Sequence, residues 1–412
     1  MAQLPGRNLG AYRQLCAQLA ATDMAVPFLD KPPRLIGAGS YNDVFLVRFK
    51  ANAMVLRLSY YSPYTLSKVQ ALIRQRLPHK QLLAKAHKVT AQDPVSVKNN
   101  YSAFCNMLIE RDVCPHFVYM YHQKDVKCFA ALVKDQVKPE RQRNNLSFRY
   151  NNVSFHEKFQ TSLRLRLRQL TDAQLAAAVF QVVYALAMMQ HYLPDFRHND
   201  LSLDNVLITT YAPTPGRHFH YKVGEASYWL PDVGVFLAVT DFDLAHAPVC
   251  VVPTGDGKGK PYGLRNQLIA KDQFGNHGDA QARNINGTVN RSFDTYYFLY
   301  RLREALGSRH QGSVARWLAA HDVLAADKTK YIAKAYPTLY PAVMLANAAV
   351  FQPFRAKPAT PSKAAATYQP APLPAELRTS AAACATSSSS SMKKDATQPP
   401  RKVTMQSVVL GH

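Results

Sequence analysis

Cysteine is sparse in this chain and never closely paired: Cys16, Cys105, Cys114, Cys128, Cys250 and Cys384 include no C-x-x-C spacing. That speaks against a zinc site built on cysteine pairs. With no apolar leader at the amino terminus, it also speaks against a secreted disulfide framework, so free thiols in a reducing compartment are expected. No apolar run reads as long and uninterrupted enough to span a bilayer, so no membrane partner is expected. Ala2 rather than Gly follows Met1, which excludes N-myristoylation. Acidic residues are scarce as well, with 27 Asp and Glu against 50 Lys and Arg, a formal charge of +23. The segment after Arg355 holds seven of the basic and two of the acidic residues, so most of the excess lies before it. Such a field attracts nucleotides, acidic protein surfaces or nucleic acid without choosing among them. Its plainer reading is solvated surface.

Against these absences stand 412 residues of 47% hydrophobic content, enough for a two-lobed globular unit with a sizeable core. One run carries chemistry: His198-Asn199-Asp200-Leu201-Ser202-Leu203-Asp204-Asn205, followed later by Asp241-Phe242-Asp243. Asp200 is of the type that orients an attacking hydroxyl. Asn205 and Asp241 offer the hard oxygens that hold Mg²⁺ against phosphates. Taken alone, the run also fits turn-capping side chains and a satisfied core histidine. Its setting favours chemistry, because Val206-Leu207-Ile208 follows it and Phe236-Leu237-Ala238-Val239 leads into Asp241, placing both acidic groups at strand ends.

Upstream, Leu35-Ile36-Gly37-Ala38-Gly39-Ser40-Tyr41-Asn42-Asp43-Val44 carries two glycines between strand-like residues, which permits close backbone approach to phosphates. The strand candidate Ala53-Met54-Val55-Leu56-Arg57-Leu58 then brings a cation, either a solvated edge charge or a phosphate-pairing residue.

In this order the motifs resemble the protein-kinase superfamily over about residues 30 to 350. The forms R-H-N-D-L-S-L-D-N-V-L-I and T-D-F-D-L-A-H, preceded by Cys114-Pro115-His116-Phe117-Val118, look most like serine/threonine kinases of large nucleocytoplasmic DNA viruses such as iridoviruses. The resemblance implies an α+β, two-lobed fold with a β-rich N-lobe and a mainly helical C-lobe, acting on ATP, Mg²⁺ and a protein substrate inside a host cell or in a virion. It implies Asp200 as catalytic base in the loop of His198, with Asn205 and Asp241 as metal ligands that also face the nucleotide. It further implies Arg57 on phosphate, and Gly37, Gly39, Ser40 and Val44 around the phosphate loop. Asp294 would be the buried aspartate that steadies the catalytic loop; a first-turn helix carboxylate is the other reading. Glu157 would open the hinge, where adenine pairs with backbone.

Departures are equally legible. Asn42 stands for the third glycine, Arg57 for lysine, Asp243 for the D-F-G glycine and Ser202 for a lysine, and no A-P-E follows. No Glu stands at the expected interval before Cys114; Asn99, Asn100 or Asn106 could take the helix position, and Glu110 lies close to the next strand. Asn199, Ser202 and Asp243 also resemble choline and aminoglycoside kinases, so a small-molecule acceptor stays open, as does a weakly catalytic scaffold with a basic binding surface.

Along the chain, residues 1–29 read as a helical extension from Leu9 to Ala21, 30–157 as the N-lobe, 158–355 as the C-lobe and 356–412 as a disordered Pro/Ala/Ser/Lys-rich tail whose serines are autophosphorylation candidates. Strands are expected at 34–38, 43–49, 53–59, 116–121 and 148–156. Leu163 to Arg168 alternates like a strand, yet its place after the hinge predicts a helix. Thr171-Asp172-Ala173-Gln174 resembles a capping box opening a buried helix to Leu193. The connection from Ile208 to Phe236 reads as a surface insertion. The stretch from Ala247 to Arg291 reads as an activation segment, with Thr254, Thr288 and Ser292 as phosphosite candidates.

Overall fold

The computed structural model describes residues 7–22, 29–38, 42–90, 93–127, 150–247, 251–252, 262–263, 288–307, 312–326, 332–358 and 367–369. Gly39, Ser40, Thr254, most of the expected activation segment and the tail serines lie outside them. The fold is α+β, with a β-rich N-terminal region and a mainly helical remainder.

The N-terminal sheet is antiparallel, with β1 (Arg34–Ala38), β2 (Asn42–Phe49), β3 (Asn52–Tyr60), β4 (Met120–Lys127) and β5 (Tyr150–His156) in the order β1-β2-β3-β5-β4. Period-two burial drives it: Phe45, Val47 and Phe49 on β2 and Met54, Leu56 and Leu58 on β3 are buried. Helix α4 (Pro94–Glu110) contributes Val97, Tyr101, Phe104, Cys105 and Leu108 to the same core, in helical spacing. Helix α1 (Leu9–Ala20) packs on β4, with the Tyr12 ring 5.2 Å from Tyr119 and 4.9 Å from Tyr121.

The expected strand at 116–121 starts only at Met120. The backbone before it is drawn to another partner: Val239 N–H donates to His116 O (2.9 Å) and Val118 N–H to Val239 O (3.2 Å). The Leu163–Arg168 run is helical, as Leu163–Arg166 followed by a 3₁₀ turn at Leu167–Gln169. Leu163 and Leu167 are buried, while Leu165 is 72% exposed, an arrangement an alternating strand would not give.

Helix α5 (Asp172–Tyr192) opens on a capping box between Thr171 and Gln174 and is buried throughout from Leu175 to Met189. The expectation that no apolar run is long enough to cross a membrane fails for this helix by length and composition alone, yet most of it is buried inside the protein. Beside it, β7 (Val206–Thr210) runs antiparallel to β10 (Val235–Val239). The connection between them is not a surface appendage. It folds into the hairpin β8 (His218–Val223) and β9 (Ala226–Pro231), which buries Phe219, Tyr221, Tyr228 and Leu230 because alternate residues face the core. Two residues of the expected tail join it: Thr367–Tyr368 pairs in parallel with β8, and the buried Tyr368 ring lies 5.1 Å from Tyr221. Tyr368, set between the exposed Thr367 and Gln369, is the side chain that this short stretch buries.

His116 joins these layers. Its Nδ1 lies 3.0 Å from Leu237 O, which can only accept, so that nitrogen carries the proton and Nε2 accepts from the Tyr221 hydroxyl at 3.0 Å. Burial, slightly opposed by the Leu237 carbonyl, pushes its pKa down to about 3. The unfolded chain would therefore protonate first, near 6.5, and the stability His116 contributes is complete above that pH and lost as pH falls toward 3. The buried His156, also held well below its usual value, acts in the same sense. The melting temperature is expected to drop as pH falls from 6.5 to 4.5, with a shallower drop in His116→Gln.

Candidate active site

The buried strand β10 delivers Asp241 in the left-handed region, at φ 71° and ψ 59°. A non-glycine residue held there costs on the order of 1 kcal/mol or more, so the surrounding structure must impose it. The next turn, Phe242–Leu244, buries Phe242, whose ring stacks on Tyr101 of α4 (5.6 Å) and sits 5.1 Å from the His198 ring. Because β7 pairs with β10 through Val206 and Val239, Asn205 arrives beside Thr240, whose N–H donates to Asn205 O at 3.0 Å. Asn205 Nδ2 donates to Asp200 O (2.7 Å) and Oδ2 (3.2 Å). That leaves the amide oxygen of Asn205 as its acceptor.

The loop carrying Asp200 is held from below. Helix α6 (Phe293–Leu306) presents Asp294, which is 1% exposed and accepts from His198 N–H (2.7 Å) and Asn199 N–H (2.9 Å). Burial raises its carboxyl above the usual range, against the pull of His198 and Arg197. His198 Nε2 donates to Thr240 O at 2.9 Å, and Asn199, itself at φ 65°, donates through Nδ2 to Leu244 O. Arg197 packs over the Phe293 ring (3.9 Å), and burial lowers its pKa to about 10. Asp294→Ala would leave two buried amides without acceptors and is expected to cost about 2–4 kcal/mol in denaturant unfolding. Asp294→Asn, which keeps one acceptor oxygen, should cost about half as much.

From the sheet, Arg57 Nη1 meets Asp241 Oδ1 at 2.9 Å. Burial pushes the Asp241 carboxyl up, yet Arg57, then Lys98 and His198, hold it below its usual value. Val44 lies between Gly37 and Arg57 in register, and a side-chain carbon added at Gly37 would lie 3.8 Å from the Val44 Cβ, an ordinary contact. Gly37 and Val44 are thus the described shoulders of the expected phosphate loop.

The cation that sequence reasoning missed is Lys98. It is 1% exposed, 2.8 Å from Ser59 Oγ and 3.2 Å from Asp243 Oδ1, and Asp243 Oδ2 accepts from Asn42 Nδ2 at 3.0 Å. Burial and the neighbouring Asp241 hold the Asp243 carboxyl above its usual value, with Lys98 opposing. Two cation–carboxylate pairs, Arg57 with Asp241 and Lys98 with Asp243, therefore stand side by side. A signal existed in the sequence: Lys98 is the one basic residue of α4 and lies three residues before Tyr101 on the apolar stripe. Of the asparagines weighed for that position, Asn99 bonds Gln123 and Asn152, and Asn106 bonds the Met120 backbone.

The Glu157 side chain is committed inside the protein. Its carboxylate accepts from Arg7 Nε (2.8 Å), Arg7 Nη2, the Tyr12 hydroxyl (2.8 Å) and Tyr119 N–H (3.2 Å), while its own N–H donates to Tyr119 O (2.9 Å). Arg7 also donates to Pro115 O and Phe117 O and lies over the Phe236 ring. The side chain of Glu157 is therefore a structural anchor for the N-terminal segment, and contact with a base would fall to backbone nearby. Ser292, a phosphosite candidate, is fully buried, donating to Asn290 Oδ1 and accepting from Tyr336 N–H, which withdraws it from modification.

No protein-family model matches the chain. Two proteins of Acanthamoeba polyphaga mimivirus, R400 and R301, both provisionally named serine/threonine-protein kinases, are similar over short stretches. R400 is 27% identical over 86 residues, 20% of this chain and 18% of the relative. R301 is 31% identical over 70 residues, 17% of this chain and 18% of the relative. A protein of Dictyostelium discoideum with the same kind of provisional name is 28% identical over 113 residues, 26% of this chain and 9% of the relative. The matches thus span less than a fifth of each relative's length, and they support a kinase-like relationship.

Proposed function

We propose that this chain is a phosphotransferase that uses ATP and Mg²⁺ to phosphorylate serine or threonine in a protein substrate. The observation that carries the reading is the hydrogen-bonded turn from Asp200 to Asn205, fixed by Asp294 from behind and tied through Asn205 O to Thr240 N–H, next to Asp241, which Arg57 faces from the sheet. Among the described residues no group of three or more His, Cys, Asp or Glu is placed to hold a metal ion by itself. Mg²⁺ bound with nucleotide phosphates needs only one or two carboxylates, and the oxygens of Asn205 and Asp241 fit that need. The ion, when bound, neutralises phosphate charge.

The chain's own groups do the rest. Asp200 accepts a hydrogen bond from the attacking hydroxyl and orients it in line. Asn205 holds the Asp200 carboxylate in place. Arg57 leaves Asp241 for phosphate oxygens, which it can grip bidentately. Asp243 is answered inside the protein by Lys98, so its departure from glycine has a structural account and no longer favours a small-molecule acceptor. The named viral relatives favour the large-DNA-virus group in general, without singling out iridoviruses.

The test is incubation of the purified chain with γ-labelled ATP, Mg²⁺, a mixed protein substrate, choline and aminoglycosides. Label on serine or threonine of protein is the expected result. Label on choline or aminoglycoside would move the reading to a small-molecule kinase. No label, with no nucleotide-induced rise in melting temperature, would overturn it.

A further inference from the structure

Between β3 and α4 the chain inserts two helices, α2 (Pro63–Arg74) and α3 (His79–Thr90), which pack chiefly on each other. The insertion is closed at its base, where Asp93 Oδ2 accepts from Ser62 N–H (3.0 Å) and Oγ (2.8 Å). Tyr61, Leu66 and Val95 form a small apolar cluster of their own there, separate from the main core. The hairpin is thus an appendage with its own footing, and its charge is one-sided: from Pro63 to Gln92 there are six Lys and Arg and no Asp or Glu. Lys68, Arg74, Arg76, Lys85 and Lys88 are exposed. Arg74 and Arg76 flank the turn between the helices, and Lys85 and Lys88 stand one turn apart on α3.

We propose that this helical hairpin binds the phosphate backbone of nucleic acid, independently of the phosphotransferase site. Charge complementarity points to a polyanion, and the spread of cations over two helices, each about 18 Å long, suits a ligand whose charges repeat regularly. The segment's one aromatic residue is Tyr64, so it offers no row of rings for stacked bases, and binding is indifferent to sequence. An anionic membrane fits less well, because surface-seeking helices bury a broad apolar face. The one large apolar residue exposed on the described hairpin is Ile73.

The test is fluorescence anisotropy of the full chain with a labelled random duplex and a labelled single-stranded RNA across a salt series, with polyglutamate and phosphatidylserine vesicles as competitors. The expected result is nucleic-acid binding whose logarithm falls linearly with the logarithm of salt. In the variant R74E/R76E/K85E/K88E affinity should fall about tenfold or more and the slope should flatten by about 3 to 4. The milder R74A/R76A, at the exposed turn, should lose part of the same affinity, and an unchanged melting temperature in each variant certifies its fold. No binding by the wild-type chain at low salt overturns the proposal. So does undiminished binding in the folded variants, or displacement of the duplex more readily by polyglutamate or vesicles than by unlabelled DNA.

Discussion

Asp200→Ala is expected to lower kcat for phosphoryl transfer by about 10²- to 10⁴-fold, the range for losing a positioned base, while the affinity for ATP changes little. Asp200 lies on the loop fixed by Asp294 and touches Asn205, so its truncation removes chemistry and leaves the scaffold standing. Asp241→Ala should abolish turnover with a different signature. Arg57 is bound to Asp241 in this structure, and on the proposed function ATP would have to win that cation over. Without Asp241, Arg57 is released to phosphate, so calorimetric titration should show ATP binding that no longer depends on Mg²⁺. A kcat within about tenfold of wild type in Asp200→Ala, or measurable turnover or persistent Mg²⁺ dependence in Asp241→Ala, would refute the assignment of that residue.

The second large effect concerns Arg7. Its guanidinium and the Glu157 carboxylate are both buried, and removing one partner leaves the other charged without compensation. Arg7→Ala is expected to destabilise the protein by about 3–5 kcal/mol, because breaking a buried pair from one side is far costlier than replacing both partners. Glu157→Gln, which keeps an acceptor for Tyr12 and Arg7, should cost less. The double variant Arg7→Met with Glu157→Leu should recover much of the loss. Urea unfolding of the four proteins checks the ordering. A double variant less stable than Arg7→Ala would show that the hydrogen bonds to Pro115 and Phe117 outweigh the charges.

Which features were legible in the sequence follows from the range of the interactions that make them. Strands β1, β2, β3 and β5 announce themselves by alternation, and α5 by its capping box and apolar length, because local patterning decides them. The candidate site was legible as a set of residue types: Asp200, Asn205 and Asp241 are adjacent to strand ends that hydropathy reveals. What was not legible depends on distant partners. The anchoring role of the Glu157 carboxylate has no local signal, because nothing nearby in sequence reveals Arg7, 150 positions earlier. Lys98 carries no local mark of its role, since a lysine on an apolar stripe finds its meaning only when Asp243 arrives to meet it. The β8–β9 hairpin reads as polar insertion until Tyr221 and Tyr228 are seen to face inward.

The closure of the fold around residues 112–119 has a temporal consequence. Arg7 grips the carbonyls of Pro115 and Phe117, and Gln369 N–H donates to Asp112 O while Tyr368 lies along β8, so stretches more than 350 positions apart meet at one place. During synthesis the amino-terminal half of that junction can form once Glu157 has emerged, but the other half waits for residue 369 to clear the ribosome. Contacts of such long sequence separation slow folding and prolong the exposure of partly assembled surfaces. Chains released before Tyr368 would leave the outer edge of β8 uncovered, an invitation to pair with another strand. Yield of this protein should therefore respond to translation speed and chaperone supply more than its equilibrium stability would suggest.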